Sequence, residues 1–128
     1  MKKTDFTLIV SLGIILACLM STSCTRRNVN VQEFDVKEYY YQKAMEYYPC
    51  RKNVGIVDDA LVAIAKAKDV WREVLDCNEC EKRPVEVYFD QNNDCWFVCG
   101  TLPRNVAGGV ASIIVQADGE VLAVWHGQ

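Results

Sequence analysis

The chain has 128 residues, of which 51% are hydrophobic, and this length and composition allow one ordinary globular domain. Its net charge is −3, and no basic patch interleaved with aromatic residues occurs, so nucleic acid is excluded as an expected partner. The apolar residues are unevenly distributed. Residues 6–20 carry no charge, whereas residues 25–52 are polar and aromatic.

Residues 1–23 have the pattern of a secretory signal peptide. Lys2 and Lys3 precede the apolar run 6–20, which is shorter than the roughly 20 residues that a membrane-spanning helix needs. The small residues before Cys24 resemble the lipobox of bacterial lipoproteins, in which the cysteine becomes the lipidated first residue. This resemblance implies a lipoprotein anchored in the bacterial outer membrane and facing the periplasm.

Two alternatives to lipidation at Cys24 remain open. Ala17-Cys18 also fits a lipobox, although cleavage there would leave Leu19 and Met20 exposed at the new terminus. The segment is also compatible with a plain secretory leader that carries no lipid.

The next segment, 24–34, lacks apolar periodicity, and we interpret it as a lipidated tether. A single domain over residues 35–128 is expected to follow it. Asp35, with Glu38 three residues later, predicts the start of a first helix. That helix is expected to end before Pro49.

Five tyrosines lie in or near this first helix: Tyr39, Tyr40, Tyr41, Tyr47 and Tyr48. Tyrosine is enriched at protein interfaces, so the cluster is a candidate binding surface. The alternative that we favour is that Tyr40, Tyr47 and Tyr39 pack on the domain while the others are solvated.

A second helix is predicted from Asp58 or Asp59, either of which can cap it, to about Leu75. Apolar residues recur in it at steps of three and four and form one continuous stripe. This stripe is expected to cover one face of a sheet.

The last third of the chain predicts an antiparallel meander. Asp118-Gly119 lies between two apolar runs and predicts a type I′ hairpin turn, in which both central residues have positive φ. One helical layer covers one sheet face, and the other face needs cover from the first helix, from curvature or from a partner. The four predicted strands are residues 85–90, 95–102, 110–116 and 120–126.

The cysteines beyond the leader are disulfide candidates in an exported protein; they are Cys50, Cys77, Cys80, Cys95 and Cys99. Cys77-x2-Cys80 together with Cys95-x3-Cys99 superficially resembles a four-thiolate zinc site. If Cys95 and Cys99 share one strand, however, their Cα atoms are about 13 Å apart, further than one metal ion or one disulfide spans. No metal is therefore expected. Five is an odd number, so at least one thiol stays free or pairs with another chain.

The sequence provides little support for catalysis. His126 is the single histidine, and it could act as a base toward a thiol nucleophile. Nothing in the sequence orients it, so we expect an exposed edge position. Gly108-Gly109 lies between strands and indicates a turn, not a phosphate-binding loop. We predict no enzymatic activity, cofactor or small-molecule substrate.

Short motifs in the C-terminal half resemble a known family. They are Trp96-x-Val98-x-Gly100-Thr101-Leu102-Pro103, Gly108-Gly109-Val110, Asp118-Gly119 and His126-Gly127. Over residues 57–128 the chain is similar to immunity proteins with a nuclear transport factor two-like fold from bacterial polymorphic toxin systems. The resemblance implies an α+β, cystatin-like fold with two helices packed on a curved four-stranded antiparallel meander.

The same resemblance implies that the partner is a cognate toxin protein, which the chain binds and neutralises. The family has no motif that identifies the contacts, so the toxin-binding candidates are surface positions. Arg104 and Asn105 lie in the glycine-rich loop, and Trp125 and His126 lie on the last strand. Two other functions remain open, namely a general envelope lipoprotein acting as a structural or ligand-binding module, and an enzyme that uses the cavity of this fold.

Overall fold

A six-stranded mixed sheet with one helix on each face forms the fold in the computed structural model, which describes residues 29–103 and 108–127. The helices are α1 (Tyr39–Tyr47) and α2 (Ala60–Val74), and a short 3-10 helix spans Glu79–Glu81. The strands are β1 (Val31–Glu33), β2 (Pro49–Asn53), β3 (Val85–Asp90), β4 (Cys95–Gly100), β5 (Ala111–Gln116) and β6 (Glu120–His126).

The predicted meander is present as β3 to β6, but the prediction of four antiparallel strands is wrong. The sheet order is β1-β3-β4-β5-β6-β2, with β1 parallel to β3 and β2 antiparallel to β6. Both added strands lie at sheet edges, where short polar segments are common. Because β1 falls within residues 24–34, the sheet begins inside the segment interpreted as a tether, and the domain starts before residue 35.

Helix α2 matches its prediction, whereas α1 begins later than expected. The Asp59 carboxylate caps α2 by accepting a hydrogen bond of 2.9 Å from the Val62 N–H. Asp35 does not cap α1; its carboxylate accepts from the Lys37 N–H within a turn, and Glu38 occupies the N-cap position without a side-chain cap. Of the helices within the described residues, none has the length and apolar character needed to cross a bilayer.

Strand β4 is buried on both faces, as the sequence predicted for a central strand. Trp96 and Val98 pack in the core beneath α2, and Cys95 and Phe97 pack in a second core beneath α1. Helix α1 therefore supplies cover for the second sheet face. The indole N–H of Trp96 donates to the Val57 carbonyl at 3.0 Å, so its polar atom is satisfied within the apolar layer.

The β5–β6 connection differs from the predicted type I′ turn. Gly119 has a positive φ of 101°, but Asp118 does not, and the Gly119 N–H donates to the Gln116 carbonyl. This pattern, with a glycine of positive φ after the turn, is typical of a longer hairpin loop. A Cβ on Gly119 would lie 2.4 Å from the Gly55 carbonyl oxygen, so glycine is required here by close backbone approach as well as by φ.

Asp90 is a buried carboxylate that joins the chain before α1 to the β3–β4 turn. It is 2% exposed. Its oxygens accept hydrogen bonds from the Val36 N–H at 2.8 Å, the Asn93 side-chain amide at 2.9 Å, and the backbone N–H groups of Asn92 and Asn93. Burial opposes ionisation, but these four donors outweigh it and lower the pKa of Asp90.

We expect Asp90→Asn to lower the free energy of unfolding at neutral pH by about 1–3 kcal/mol, because an amide cannot accept from all four donors. The folded pKa of Asp90 lies below the unfolded value of about 3.9. The contribution of ionised Asp90 to folding stability is therefore fully present above the unfolded pKa and is lost as the pH falls through the folded pKa. Urea denaturation of the unchanged protein and of Asp90→Asn at neutral and acidic pH measures the difference in the free energy of unfolding. We expect this difference to be smaller at acidic pH.

Asp118→Asn is the matched control, since Asp118 is exposed and accepts one local hydrogen bond, from Glu120. A loss of stability in this control equal to that of Asp90→Asn would contradict a special role for the buried carboxylate.

Candidate functional site

An aromatic groove lies on the α1 side of the sheet. It has a volume of about 620 Å³. We define the aromatic groove by Tyr39, Tyr40, Tyr47, Tyr48 and Trp125, which line it together with Lys43, Gly108 and Gly109. The groove combines a helix face with the end of the central sheet.

The floor of the aromatic groove is an ordered stack of rings. Trp125 is 6% exposed and stacks between Phe97, at a centroid distance of 6.0 Å, and Tyr48, at 6.2 Å. Tyr40 meets Trp125 edge to face at 6.3 Å. Two of the groove tyrosines, Tyr40 and Tyr48, therefore rest against Trp125.

The exposure of the tyrosines shows that the predicted packing of Tyr39, Tyr40 and Tyr47 on the domain is wrong. Tyr39, Tyr40 and Tyr47 are 76%, 57% and 64% exposed, so they do not pack into the domain. Tyr41 does so instead, within 5.1 Å of the Phe97 ring centroid, and burial raises its pKa to about 12, with Glu38 adding to the effect. Tyr41, Ala44 and Met45 form the inward stripe of α1 at helical spacing, so Tyr39 and Tyr47 lie on the outer side of the helix.

Lys43 lies between two of the exposed rings. Its ammonium is 5.5 Å from the ring centroids of both Tyr39 and Tyr47, a distance at which cation–π attraction operates. It also forms an exposed ion pair with Glu46. The arrangement restrains two exposed tyrosines before any partner arrives.

A second concave region, the thiol cavity, lies on the α2 side of the sheet and has a volume of about 200 Å³. Cys77, Cys80, His126 and Trp71 line it, and Cys77 and Cys80 are joined by a disulfide. Within the described part of the chain, the Trp71 indole N–H is the one buried side-chain polar atom without a hydrogen-bond partner. A buried donor without an acceptor typically lowers folding stability by about 1–3 kcal/mol.

Two of the predicted toxin-binding residues, Trp125 and His126, lie on opposite faces of the sheet. Trp125 and His126 are neighbours on β6, and successive side chains of a strand point to opposite faces. Trp125 therefore forms the floor of the aromatic groove, while His126 is exposed and lines the thiol cavity. Arg104 and Asn105 lie outside the described residues, as does the predicted lipidation site Cys24.

Among the described cysteines outside the disulfide, Cys50, Cys95 and Cys99 have free thiols. Cys95 and Cys99 both lie on β4, so the two thiols are too far apart along the strand to bind one metal ion together. Burial raises the pKa of Cys95 to about 12, with nearby Asp90 adding to the shift, and raises that of Cys99 to about 11, with Glu86 adding. Burial also raises the pKa of Cys50. These thiols are structural in character, since thiolates are the reactive form.

The fold and the groove define a small α+β protein with a sheet covered on both faces and an aromatic surface beside one helix. Comparison with known families identifies it further. The family model described as NTF2 fold immunity protein matches residues 62–128, which is more than half of the chain, and the chain belongs to this family. The family resemblance predicted from the sequence motifs is thereby confirmed.

No curated protein and no solved structure matches the chain significantly. The family match begins within α2 and continues through β3 to β6. Strands β1 and β2 and helix α1 lie outside the matched residues. The four groove tyrosines therefore belong to the part of this chain that precedes the family match.

We expect alkylation of the folded protein at about pH 8 to modify Cys50 first, then Cys99, and Cys95 last. Each unit of raised pKa lowers the thiolate fraction about tenfold, and Cys95 also has the least exposed side chain of the three. Iodoacetamide labelling followed by peptide mass spectrometry measures the three rates. In denaturant the rates should converge, and a Cys95 that reacted as fast as Cys50 in the folded protein would contradict its burial.

Proposed function

We propose that this protein is an immunity protein that binds a cognate bacterial toxin in the cell envelope and neutralises it. The observation that carries the proposal is the family match over residues 62–128. Immunity by binding needs a rigid complementary surface and no reacting groups. The aromatic groove has these properties, because its tyrosines are exposed and restrained, Tyr40 and Tyr48 by Trp125 and Tyr39 and Tyr47 by Lys43.

We propose the aromatic groove as the surface that contacts the toxin. Contiguous exposed apolar surface on a small protein marks interaction sites, and tyrosine and tryptophan are enriched among the residues that dominate binding energy. Tyr39 and Tyr47 are the most exposed rings of the groove. Their rings have few rotatable bonds, and Lys43 already contacts both, so little conformational entropy is lost on binding.

The net charge of the chain also favours a toxin as the partner. The chain has a net charge of −3, and an acidic protein attracts a basic partner over distances of about a Debye length, roughly 8–10 Å in ordinary salt. Such attraction mainly raises the association rate, while close contacts in the groove determine how slowly the complex dissociates. A basic toxin domain therefore fits the net charge of the chain.

The proposed site of action is the periplasmic side of the envelope. The signal-peptide pattern of residues 1–23 and the lipobox before Cys24 support this location. A tether of a few residues between Cys24 and β1 would hold the domain close to the membrane. A lipid-anchored immunity protein would then meet a toxin as it enters the cell.

We expect Tyr47→Ala and Tyr39→Ala each to weaken toxin binding by about 2 kcal/mol, or roughly 30-fold in Kd. Both side chains are largely exposed, so the thermal stability of the free protein should not change. Isothermal titration calorimetry with the toxin encoded by the adjacent gene measures the effect, and survival of toxin-expressing cells measures protection.

The matched control is Ile56→Ala. Ile56 is 66% exposed and lies beside Asn93 and Asp118 at the turns of the sheet, away from the groove. Equal losses in all three variants would reject the aromatic groove as the interface. Absence of any binding by the unchanged protein would reject the immunity function and favour the general envelope lipoprotein.

We expect Cys24→Ser to release the protein from the membrane fraction, because the serine hydroxyl cannot take the place of the lipidated thiol. Fractionation of the envelope, with mass spectrometry of the mature N-terminus, measures the change. Cys18→Ser is the control and should leave membrane attachment intact. The opposite result, with release by the Cys18 variant alone, would move the lipid to the other cysteine.

A further inference from the structure

The thiol cavity brings together three side chains that commonly bind transition metals. The sulfurs of Cys77 and Cys80 and an imidazole nitrogen of His126 all lie within 4.8 Å of one another. We propose that these three side chains form a zinc site that becomes available when the Cys77–Cys80 disulfide is reduced. None of the three ligands lines the aromatic groove, although the two cavities adjoin at Leu102, Gly108, Gly109 and Val110, and the site does not rest on toxin binding.

The spacing of the three ligands suits tetrahedral zinc. With Zn–S bonds of about 2.3 Å and Zn–N bonds of about 2.0–2.1 Å, ligand atoms in a tetrahedral site are roughly 3.3–3.8 Å apart. Once the S–S bond is broken, the two sulfurs must separate by roughly 1.8 Å, from the length of a disulfide bond to about 3.8 Å. The imidazole nitrogen must approach them by about 1 Å. Cys-x2-Cys is a common zinc-binding spacing, and the two Cα atoms are 5.4 Å apart.

The two halves of the site come from different elements, the connection after α2 and the end of β6. Both cysteines lie in the connection after α2, and the Cys77 N–H donates to the Trp71 carbonyl at the end of that helix. His126 ends β6, opposite Ala111 of β5. Its imidazole is exposed, so it can rotate toward the sulfurs without displacing core residues.

The surroundings provide a second, independent indication of a bound group. Trp71 is fully buried, lines the thiol cavity, and has an indole N–H without an acceptor among the described residues. Thiolate sulfur accepts hydrogen bonds, and outer donors of this kind hold the ligands of metal sites in place. The cavity also contains Glu79 and Arg83. Glu79 or a water molecule can complete the four ligands of zinc.

A dithiol reductant transfers two electrons and two protons to the Cys77–Cys80 disulfide; the S–S bond breaks, two thiols form, and the reductant becomes a disulfide. Zinc then replaces the two thiol protons, which pass to solvent. In the oxidised chain each sulfur is bonded to the other, so two thiolate ligands are missing and zinc is not held.

Cobalt binding to the purified full chain tests the site. In the chain reduced with a phosphine, we expect one Co²⁺ per chain, with thiolate-to-cobalt charge-transfer bands and the visible bands of tetrahedral cobalt, and displacement by Zn²⁺. The oxidised chain should show none of these bands. Loss of an outer hydrogen bond lowers the affinity of a metal site roughly 10- to 100-fold. His126→Ala removes a ligand itself, so we expect it to weaken cobalt binding by at least as much.

Cys50→Ser is the matched control, since Cys50 is a free thiol on β2 and does not line the thiol cavity. It should leave the cobalt bands unchanged. The proposal is overturned if the fully reduced chain, verified by thiol count, binds no cobalt, or if His126→Ala binds it as tightly as the unchanged protein. Because His126 is exposed, its variant tests the site even if replacement of Cys77 and Cys80 prevents folding.

Discussion

The burial of β4 on both faces is the constraint on which the rest of the structure depends. A strand whose side chains alternate between two apolar layers requires cover on both sides of the sheet. Trp96 and Val98 require α2, and Cys95 and Phe97 require α1. Neither helix can be lost without exposing one whole apolar face, so the small domain needs the segment before α2 as well as the segment after it.

The same alternation on β6 separates the two concave regions. Trp125 enters the core beneath α1 and forms the floor of the aromatic groove, while His126 turns to the side of α2 and the disulfide. One sheet therefore presents a restrained aromatic surface on one side and a disulfide beside an imidazole on the other. The two concave regions adjoin, since Leu102, Gly108, Gly109 and Val110 line both.

Helix α1 lies outside the family match but contributes to the core. The matched residues begin within α2 and include the meander β3 to β6. Ala44 of α1 is buried in the same core as Phe97 and Trp125 of that meander, while Tyr39 and Tyr47 are exposed. Substitution of these two exposed tyrosines therefore leaves the core packing intact.

The fold could be predicted from the sequence where side-chain periodicity was strong. Helix α2 carries a continuous apolar stripe and an aspartate cap, and β3 to β6 alternate or are apolar throughout. Strands β1 and β2 had no such signal, because an edge strand buries little and its hydrogen bonds come from a neighbour distant in sequence. In α1 the predicted inward tyrosines were Tyr39, Tyr40 and Tyr47, whereas the stripe of Tyr41, Ala44 and Met45 packs on the sheet. Both sets recur at helical spacing, so docking of the helix decides between them.

The sequence by itself determined the family, the α+β class, the two faces of β4 and the tyrosine-rich composition of the first helix. These properties follow from local patterns that repeat every two or three to four residues. Tertiary structure alone decided which tyrosines remain exposed, that Trp125 and His126 serve opposite faces, and that His126 meets Cys77 and Cys80. Such relations depend on strand pairing and helix docking, which join residues far apart in the chain through contacts that no local pattern records.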